Sequence, residues 1–84
     1  MSNLPKQETL VGATLTVLEN LGGQAHFRDI EKGVIEFLNI DSSLTMVIRS
    51  GNRTELAYRL SWARTKCKAL GKIKNIGNGI WKLI

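Results

Sequence analysis

The sequence predicts an α+β, mostly helical fold in one small domain. Three observations predict it: three segments carry apolar residues at helical spacing, a short extended link follows the first, and a two-strand pattern closes the chain. A length of 84 residues suffices for a single domain. With 43% hydrophobic and 23% charged residues, the composition is typical of a folded globular protein.

The first helix is predicted over residues 5–21. Pro5 is tolerated in its first turn, because the missing N–H would have no intrahelical partner there. Gly22-Gly23 favours a left-handed cap at its end. The following Gln-Ala-His-Phe, residues 24–27, is predicted as a short extended link that forms a strand bridge. The apolar stripe of the helix comprises Leu10, Val11, Thr14, Val17, Leu18 and Leu21.

The second helix is predicted to begin near Arg28 or Asp29 and to end at Leu38. Asp29 and Glu31 would lie in its first turn, where the helix dipole stabilises negative charge. Residues 39–52 combine turn-forming residues with an apolar patch at 44–48, which predicts a loop with one short helical turn. The buried stripe of the helix would comprise Ile30, Val34, Phe37 and Leu38.

The third helix is predicted over residues 53–70, with Asn52 or Thr54 as its N-cap and Gly71 at its end. Trp62 is expected to pack on a neighbouring element, with stacking on a base or sugar as the alternative. The core seam, at steps of three and four residues, comprises Leu56, Leu60, Ala63, Cys67 and Leu70.

A β-hairpin is predicted to follow the third helix. It pairs residues 72–76 with residues 80–84 around an Asn-Gly turn. Trp81 and Leu83 share one face of the second strand, and we expect that face to pack on the helices.

Positive charge is concentrated in the second half of the chain. The net charge is +5, but residues 1–48 hold three bases and six acids, a balance of −3. Residues 49–84 hold nine bases and one acid, a balance of +8. A charge pole on contiguous elements indicates an anionic partner. The alternative is a basic surface that serves solubility alone.

Three helices followed by a basic hairpin form the element order of a winged helix. In that fold the third helix enters the major groove of DNA, and the hairpin contacts the backbone or the minor groove. If Leu56 points inward, a 100° step per residue turns Tyr58, Ser61, Thr65 and Lys68 outward. Arg64 is expected at one edge of this outward face.

Hydroxyl, amide and cationic groups of the third helix and the hairpin can donate to phosphate oxygens and to base edges. Arg59 has an alternative, which is an ion pair with an acid of the N-terminal half. The predicted DNA-binding residues are Arg53, Tyr58, Arg59, Ser61, Arg64, Thr65, Lys66, Lys68, Lys72, Lys74, Asn78 and Lys82.

Residues 50–84, SGNRTELAYRLSWARTKCKALGKIKNIGNGIWKLI, resemble the N-terminal winged-helix domain of Mrr-type (type IV) restriction endonucleases. Residues 18–40 resemble the end of the first helix and the second helix of the same domain. The residues that carry the resemblance are Arg53 to Leu56, Tyr58, Arg59, Trp62 to Thr65, Lys68, Leu70, Gly71, Gly79, Trp81 and Leu83.

The resemblance implies double-stranded DNA binding as the target-recognition module of a restriction system. In the family this module is attached to a nuclease domain, whereas this sequence ends after the hairpin. We therefore expect residues 1–84 to form a single winged-helix DNA-binding domain without a nuclease domain and without enzymatic activity. The implied partners are double-stranded DNA and a nuclease domain or subunit.

Catalysis, metal binding and cofactors have no support in the sequence. His26 and Cys67 are the only residues of their types, and they give no metal-ligand spacing. The basic half has no paired carboxylates, and its Gly-Asn-Gly does not open a helix as a phosphate-binding loop does. No apolar run is long enough to span a bilayer, no signal peptide is visible, and the single cysteine suits a reducing compartment. A cytoplasmic location is therefore expected.

Other functions stay open beside DNA binding. The apolar patch at 44–48 would suit a protein-interaction module or a homodimer. A small stand-alone transcriptional regulator has the same sequence features. RNA binding is not excluded by charge, although 6% aromatic residues is low for a surface that stacks single strands.

Overall fold

The fold was obtained as a computed structural model that describes residues 4–51 and 53–84, with the side chains of residues 49, 50 and 53 outside the description. Within those residues the chain forms three α-helices, one 3₁₀ turn and five short strands. In chain order they are α1 (Gln7–Asn20), β1 (Gln24–His26), α2 (Phe27–Phe37), the 3₁₀ turn Leu44–Met46, β2 (Ile48–Ser50), β3 (Arg53–Thr54), α3 (Glu55–Ala69), β4 (Ile73–Gly77) and β5 (Ile80–Leu83). The α+β, mostly helical prediction is confirmed, and the architecture is consistent with a winged helix.

Side-chain caps set the starts of α2 and α3. The Thr54 hydroxyl accepts a hydrogen bond from the Ala57 N–H at 3.0 Å, which confirms one of the two predicted N-caps. The other, Asn52, lies outside the described residues. α2 begins at Phe27, slightly earlier than predicted, because Nδ1 of His26 accepts from the Arg28 N–H at 3.1 Å.

The predicted extended link is a true strand. β1, β5 and β4 form an antiparallel sheet in that order, with Gln24 opposite Lys82 in the β1–β5 pair. In the hairpin, Lys74 also lies opposite Lys82. Asn78 and Gly79 form its turn with φ angles of 55° and 75°, as in a type I′ turn, so the Asn-Gly prediction is confirmed.

The loop predicted at 39–52 contains more structure than expected. Its one predicted helical turn is present at Leu44–Met46. Beyond it, β2 pairs with β3 as a separate two-stranded ribbon, which was not predicted. Strands of two and three residues are too short to show a period of two in the sequence.

One core lies between the three helices and the base of β4. Trp81 and Leu83 pack against it, as predicted. Gly33 permits the close approach of α1 to α2, because a Cβ built at Gly33 would lie 2.5 Å from Cγ1 of Val17. The buried apolar residues are Leu10, Ala13, Val17, Leu18, Ile30, Val34, Leu56, Leu60, Ala63, Cys67 and Ile73.

Three apolar residues predicted in this core are exposed instead. They are Leu21, Phe37 and Leu70. Each lies where a helix ends: Phe37 is the last residue of α2, and the other two are C-cap residues of α1 and α3. The apolar stripes therefore continue past the point where a neighbouring element covers them.

Candidate nucleic-acid interface

The buried seam of α3 determines which of its side chains face outward. Leu56, Leu60, Ala63 and Cys67 are all buried. On the opposite side, Thr65 and Lys68 are exposed, and Tyr58 and Ser61 are partly exposed. The outward orientation predicted for these four side chains is therefore confirmed.

Arg64 is not at an exposed edge, and this prediction is wrong. The residue is only 7% exposed. Its Nη1 donates to Oε2 of Glu31 on α2 at 3.0 Å. Its guanidinium carbon lies 5.3 Å from the ring centroid of Phe27 and 6.0 Å from that of Trp81. Arg64 therefore links α3 to α2 and β5, and its charge is already paired.

The helical position of Arg64 explains its burial. It follows Leu60 by four residues and precedes Cys67 by three, so it lies beside the seam and not opposite it. Its Nε has no hydrogen-bond partner among the residues that the structure describes. The position of the guanidinium over two aromatic rings compensates part of that loss, since guanidinium groups are attracted to ring faces.

Arg59 is also paired, but weakly. Its Nε donates to Oε2 of Glu55 at 3.1 Å, four residues earlier on the same helix. The ion-pair alternative was thus correct in kind, but the acid belongs to α3 itself and not to the N-terminal half. The Arg59 side chain is 42% exposed. Exposed pairs of this spacing contribute about 0.3–0.5 kcal/mol, so a phosphate can compete for this guanidinium.

Five lysines form a set that we call the open lysines, and all five are exposed. None of them forms an ion pair with another residue of the described parts of the chain. They are Lys66 and Lys68 on α3, Lys72 before β4, Lys74 on β4 and Lys82 on β5.

Two of the open lysines repel each other across the hairpin. Lys74 and Lys82 are direct cross-strand partners, so their side chains leave the same face of the sheet. Like charges directly opposite each other are destabilising. An anion bound between them would remove that repulsion.

The hairpin lies beside α3, on the Arg64 side of that helix. Arg64 contacts Trp81 of β5, and the Phe27 N–H donates to the Gly79 carbonyl at 2.9 Å. A Cβ built at Gly79 would lie 2.8 Å from Nε2 of His26 and 2.9 Å from Cδ1 of Phe27. The turn is thus held against the start of α2. Asn78, at the tip of that turn, is exposed.

An open groove lies on the other side of α3, between that helix and the start of α1, and we call it the α1–α3 groove. Its volume is about 510 Å³. Trp62 is 53% exposed in it, so the expected packing on another element is not found. The Trp62 and Tyr58 rings meet edge to face with centroids 6.4 Å apart. Residues that line the groove include Gln7, Tyr58, Trp62, Thr65, Lys66 and Ala69.

Sequence reasoning missed His26 and Phe27 as supports of the hairpin. The signal in the sequence is Gly79, but the Asn-Gly turn alone explains a glycine there. The prediction for Arg53 lies outside the described side chains. The remaining predicted contacts on the hairpin, Lys72, Lys74, Asn78 and Lys82, are all exposed.

Other chemistry has little support in the described residues. Burial raises the pKa of the Cys67 thiol, which lies 3.7 Å from the Val11 carbonyl oxygen. Within residues 4–51 and 53–84, no group of three histidine, cysteine or acidic side chains is placed to hold a metal ion. In the same ranges no helix has the length and apolar character needed to cross a membrane.

Comparison with models of known protein families gives a match that covers nearly the whole chain. The family model of the Mrr N-terminal domain matches residues 8–83, which is nearly the whole chain. No curated protein and no solved structure matches. The family match confirms the resemblance seen in the sequence and supports an association with Mrr-type restriction systems. The chain therefore belongs to the Mrr N-terminal domain family.

Proposed function

We propose that this chain binds double-stranded DNA through the outward face of α3 and the β4–β5 hairpin, as the target-recognition module of an Mrr-type restriction system. The observation that carries the proposal is the set of open lysines. The arginines of α3 are paired with acids, whereas these lysines are exposed and form no ion pair within the described residues. Family membership supports the restriction role, with a nuclease domain or subunit as partner.

The exposed lysines and the short polar side chains would make different contacts with DNA. Lysine ammonium groups are point charges that bind phosphates without reading sequence. Ser61, Thr65 and Asn78 have short polar side chains that suit base edges or sugars. The Thr65 hydroxyl already donates to the Ser61 carbonyl at 3.1 Å, so its free lone pairs would accept from a base amino group.

Bound DNA would also reduce the electrostatic repulsion between two lysines of the hairpin. Lys74 and Lys82 lie opposite each other, and a phosphate near both would convert repulsion into attraction. Lys68 ends the outward face of α3, and Lys72 begins the hairpin four residues later. A DNA strand that contacts both α3 and the hairpin would therefore lie close to Lys68 and Lys72, where the two elements join.

Binding to a fluorescent 20-base-pair duplex at several salt concentrations tests the proposal. Contact with about five phosphates predicts a log–log slope near −4 to −5. The double variant Lys68→Ala/Lys74→Ala should lose affinity on every sequence and should show a slope smaller by about two. Lys32→Ala is the matched control, because Lys32 is an exposed lysine on α2. Wild-type affinity in the double variant at low salt would refute the proposed surface.

A second candidate function is self-association. Met46 is 74% exposed, and its neighbours Val47 and Ile48 are exposed as well. Apolar groups in such a row suit a protein partner or a second copy. Sedimentation at several protein concentrations, with and without duplex DNA, distinguishes the two functions. A monomer that binds the duplex supports DNA binding, and a tight dimer that does not bind it supports self-association.

A further inference from the structure

We propose that the α1–α3 groove binds one unpaired base of the DNA. This inference rests on the proposed function, because the same DNA would supply the base. It gives a role to the concave aromatic surface on α3, which the phosphate contacts of the lysines do not explain.

The aromatic residues of the groove offer a ring face to a ligand. Trp62 leaves more than half of its surface in solvent, at 53% exposure. Tyr58 contacts it edge to face, which holds the two rings at an angle and leaves one indole face uncovered by the phenol. A flat, uncharged ring such as a nucleobase fits that face, and stacking of this kind tolerates any base.

The charges of the groove select a base that carries a phosphate. Glu55 and Arg59 also line the groove. Oε2 of Glu55 lies 3.1 Å from Nε of Arg59, so their part of the groove is close to neutral. Lys66 lines the other end and has no ion-pair partner among the described residues. The net charge of the lining is therefore positive. An anionic nucleotide complements it, whereas a basic peptide does not.

The size and position of the groove suit a base that has left its stack. A volume of about 510 Å³ lies in the range of small-ligand pockets and accommodates a nucleotide. Trp62 and Arg64 are two residues apart, which places them about 160° apart around the helix. The groove therefore lies on the side of α3 away from the hairpin. A base stacked within a duplex cannot insert its face there, so the ligand must be unpaired.

The test compares two fluorescent 20-base-pair duplexes that differ by one unpaired adenosine in the middle. Stacking on an aromatic side chain predicts that the wild-type chain binds the bulged duplex roughly fivefold more tightly, or better. Trp62→Ala should remove this preference and leave the affinity for the paired duplex unchanged. Trp62→Phe should keep most of it, because a ring face remains.

Matched variants separate stacking from general effects. Leu70→Ala removes a large apolar side chain that is 52% exposed at the C-cap of α3 but does not line the groove, so the preference should persist. Lys66→Ala should reduce the preference, since Lys66 lines the groove. Lys68→Ala should weaken binding to both duplexes alike, since Lys68 does not line the groove.

The outcomes distinguish this inference from the proposed function. Equal affinity of the wild-type chain for both duplexes refutes the binding of an unpaired base in the groove, but it does not contradict the proposed binding of duplex DNA. A preference that survives in Trp62→Ala also refutes it. If Trp62→Ala instead converts a dimer to a monomer, the groove is a contact between copies and the inference is wrong. Failure to bind the paired duplex, with Trp62-dependent binding of the bulged one, refutes the proposed function and supports the groove.

Discussion

The Nη1 atom of Arg64 lies 3.0 Å from Oε2 of Glu31, and this pair connects α3 to α2. The same guanidinium lies over the rings of Phe27 and Trp81, at the start of α2 and in the hairpin. The two elements proposed to meet DNA, α3 and the hairpin, are thus joined to α2 at one buried cation. In the proposed DNA complex Arg64 would act only through the position of its neighbours, because its own charge is paired inside the fold.

Removing the acid of this pair should destabilise the fold. Glu31→Ala leaves a buried guanidinium without its partner, a change that costs about 3–5 kcal/mol in fully buried pairs. The Glu31 side chain is 21% exposed, so water compensates part of the loss. We expect the free energy of unfolding to fall by about 1–3 kcal/mol in urea titrations. Glu19→Ala, at an exposed acid of α1, should change it by less than about 0.5 kcal/mol. Equal stabilities of the two variants would show that the pair contributes nothing.

A methyl group at Gly79 should disturb the hairpin. Gly79 has φ of 75°, and an added Cβ would lie within 3 Å of both His26 and Phe27. A left-handed conformation alone costs an L-residue about 1–2 kcal/mol, and the contact adds to this. Gly79→Ala should therefore lower the thermal midpoint by several degrees in circular dichroism.

Gly12 provides the control for Gly79. It lies inside α1, and nothing approaches within 4 Å of an added Cβ. Gly12→Ala should raise stability by about 0.5–1 kcal/mol, because alanine is the better helix former. A Gly79→Ala variant as stable as the wild-type chain would contradict the close approach of the turn to α2.

The Cys67 thiol should react slowly in the folded chain. Burial raises its pKa, so the thiolate that attacks alkylating reagents is scarce in the native state. Iodoacetamide at pH 8.5 should modify it much faster in urea than in buffer. The raised pKa also makes stability fall at alkaline pH, because the unfolded thiol ionises first. This contribution is complete below the unfolded thiol pKa of about 8.5 and is lost as pH rises through the folded pKa. Equal alkylation rates with and without urea would disprove the burial.

Most of the fold follows from local signals in the sequence. The seam of α3 is visible as steps of three and four residues, and Leu56, Leu60 and Cys67 are buried as those steps predict. The Asn78-Gly79 turn follows from the need for positive φ at both positions. These features depend on neighbours within a few residues, so one sequence suffices to predict them.

The candidate site was harder to predict because its decisive contacts are distant in sequence. Glu31 and Arg64 are 33 residues apart, and no local pattern pairs them. Phe37 and Trp62 illustrate the same limit: a helical pattern shows an apolar or aromatic residue, but only the packed fold shows whether another element covers it. The lysines were predicted correctly as exposed, since a long charged side chain is rarely buried without a partner.

The central claim is that the outward face of α3 and the hairpin bind duplex DNA. The most direct measurement is a titration of the ¹⁵N-labelled chain with an unlabelled 20-base-pair duplex, followed by amide chemical shifts. We predict the largest changes at residues 61–68 and 72–82, with little change on the opposite helices at Leu21 and Phe37. Changes confined to residues 46–48, or none at all at low salt, would contradict the account.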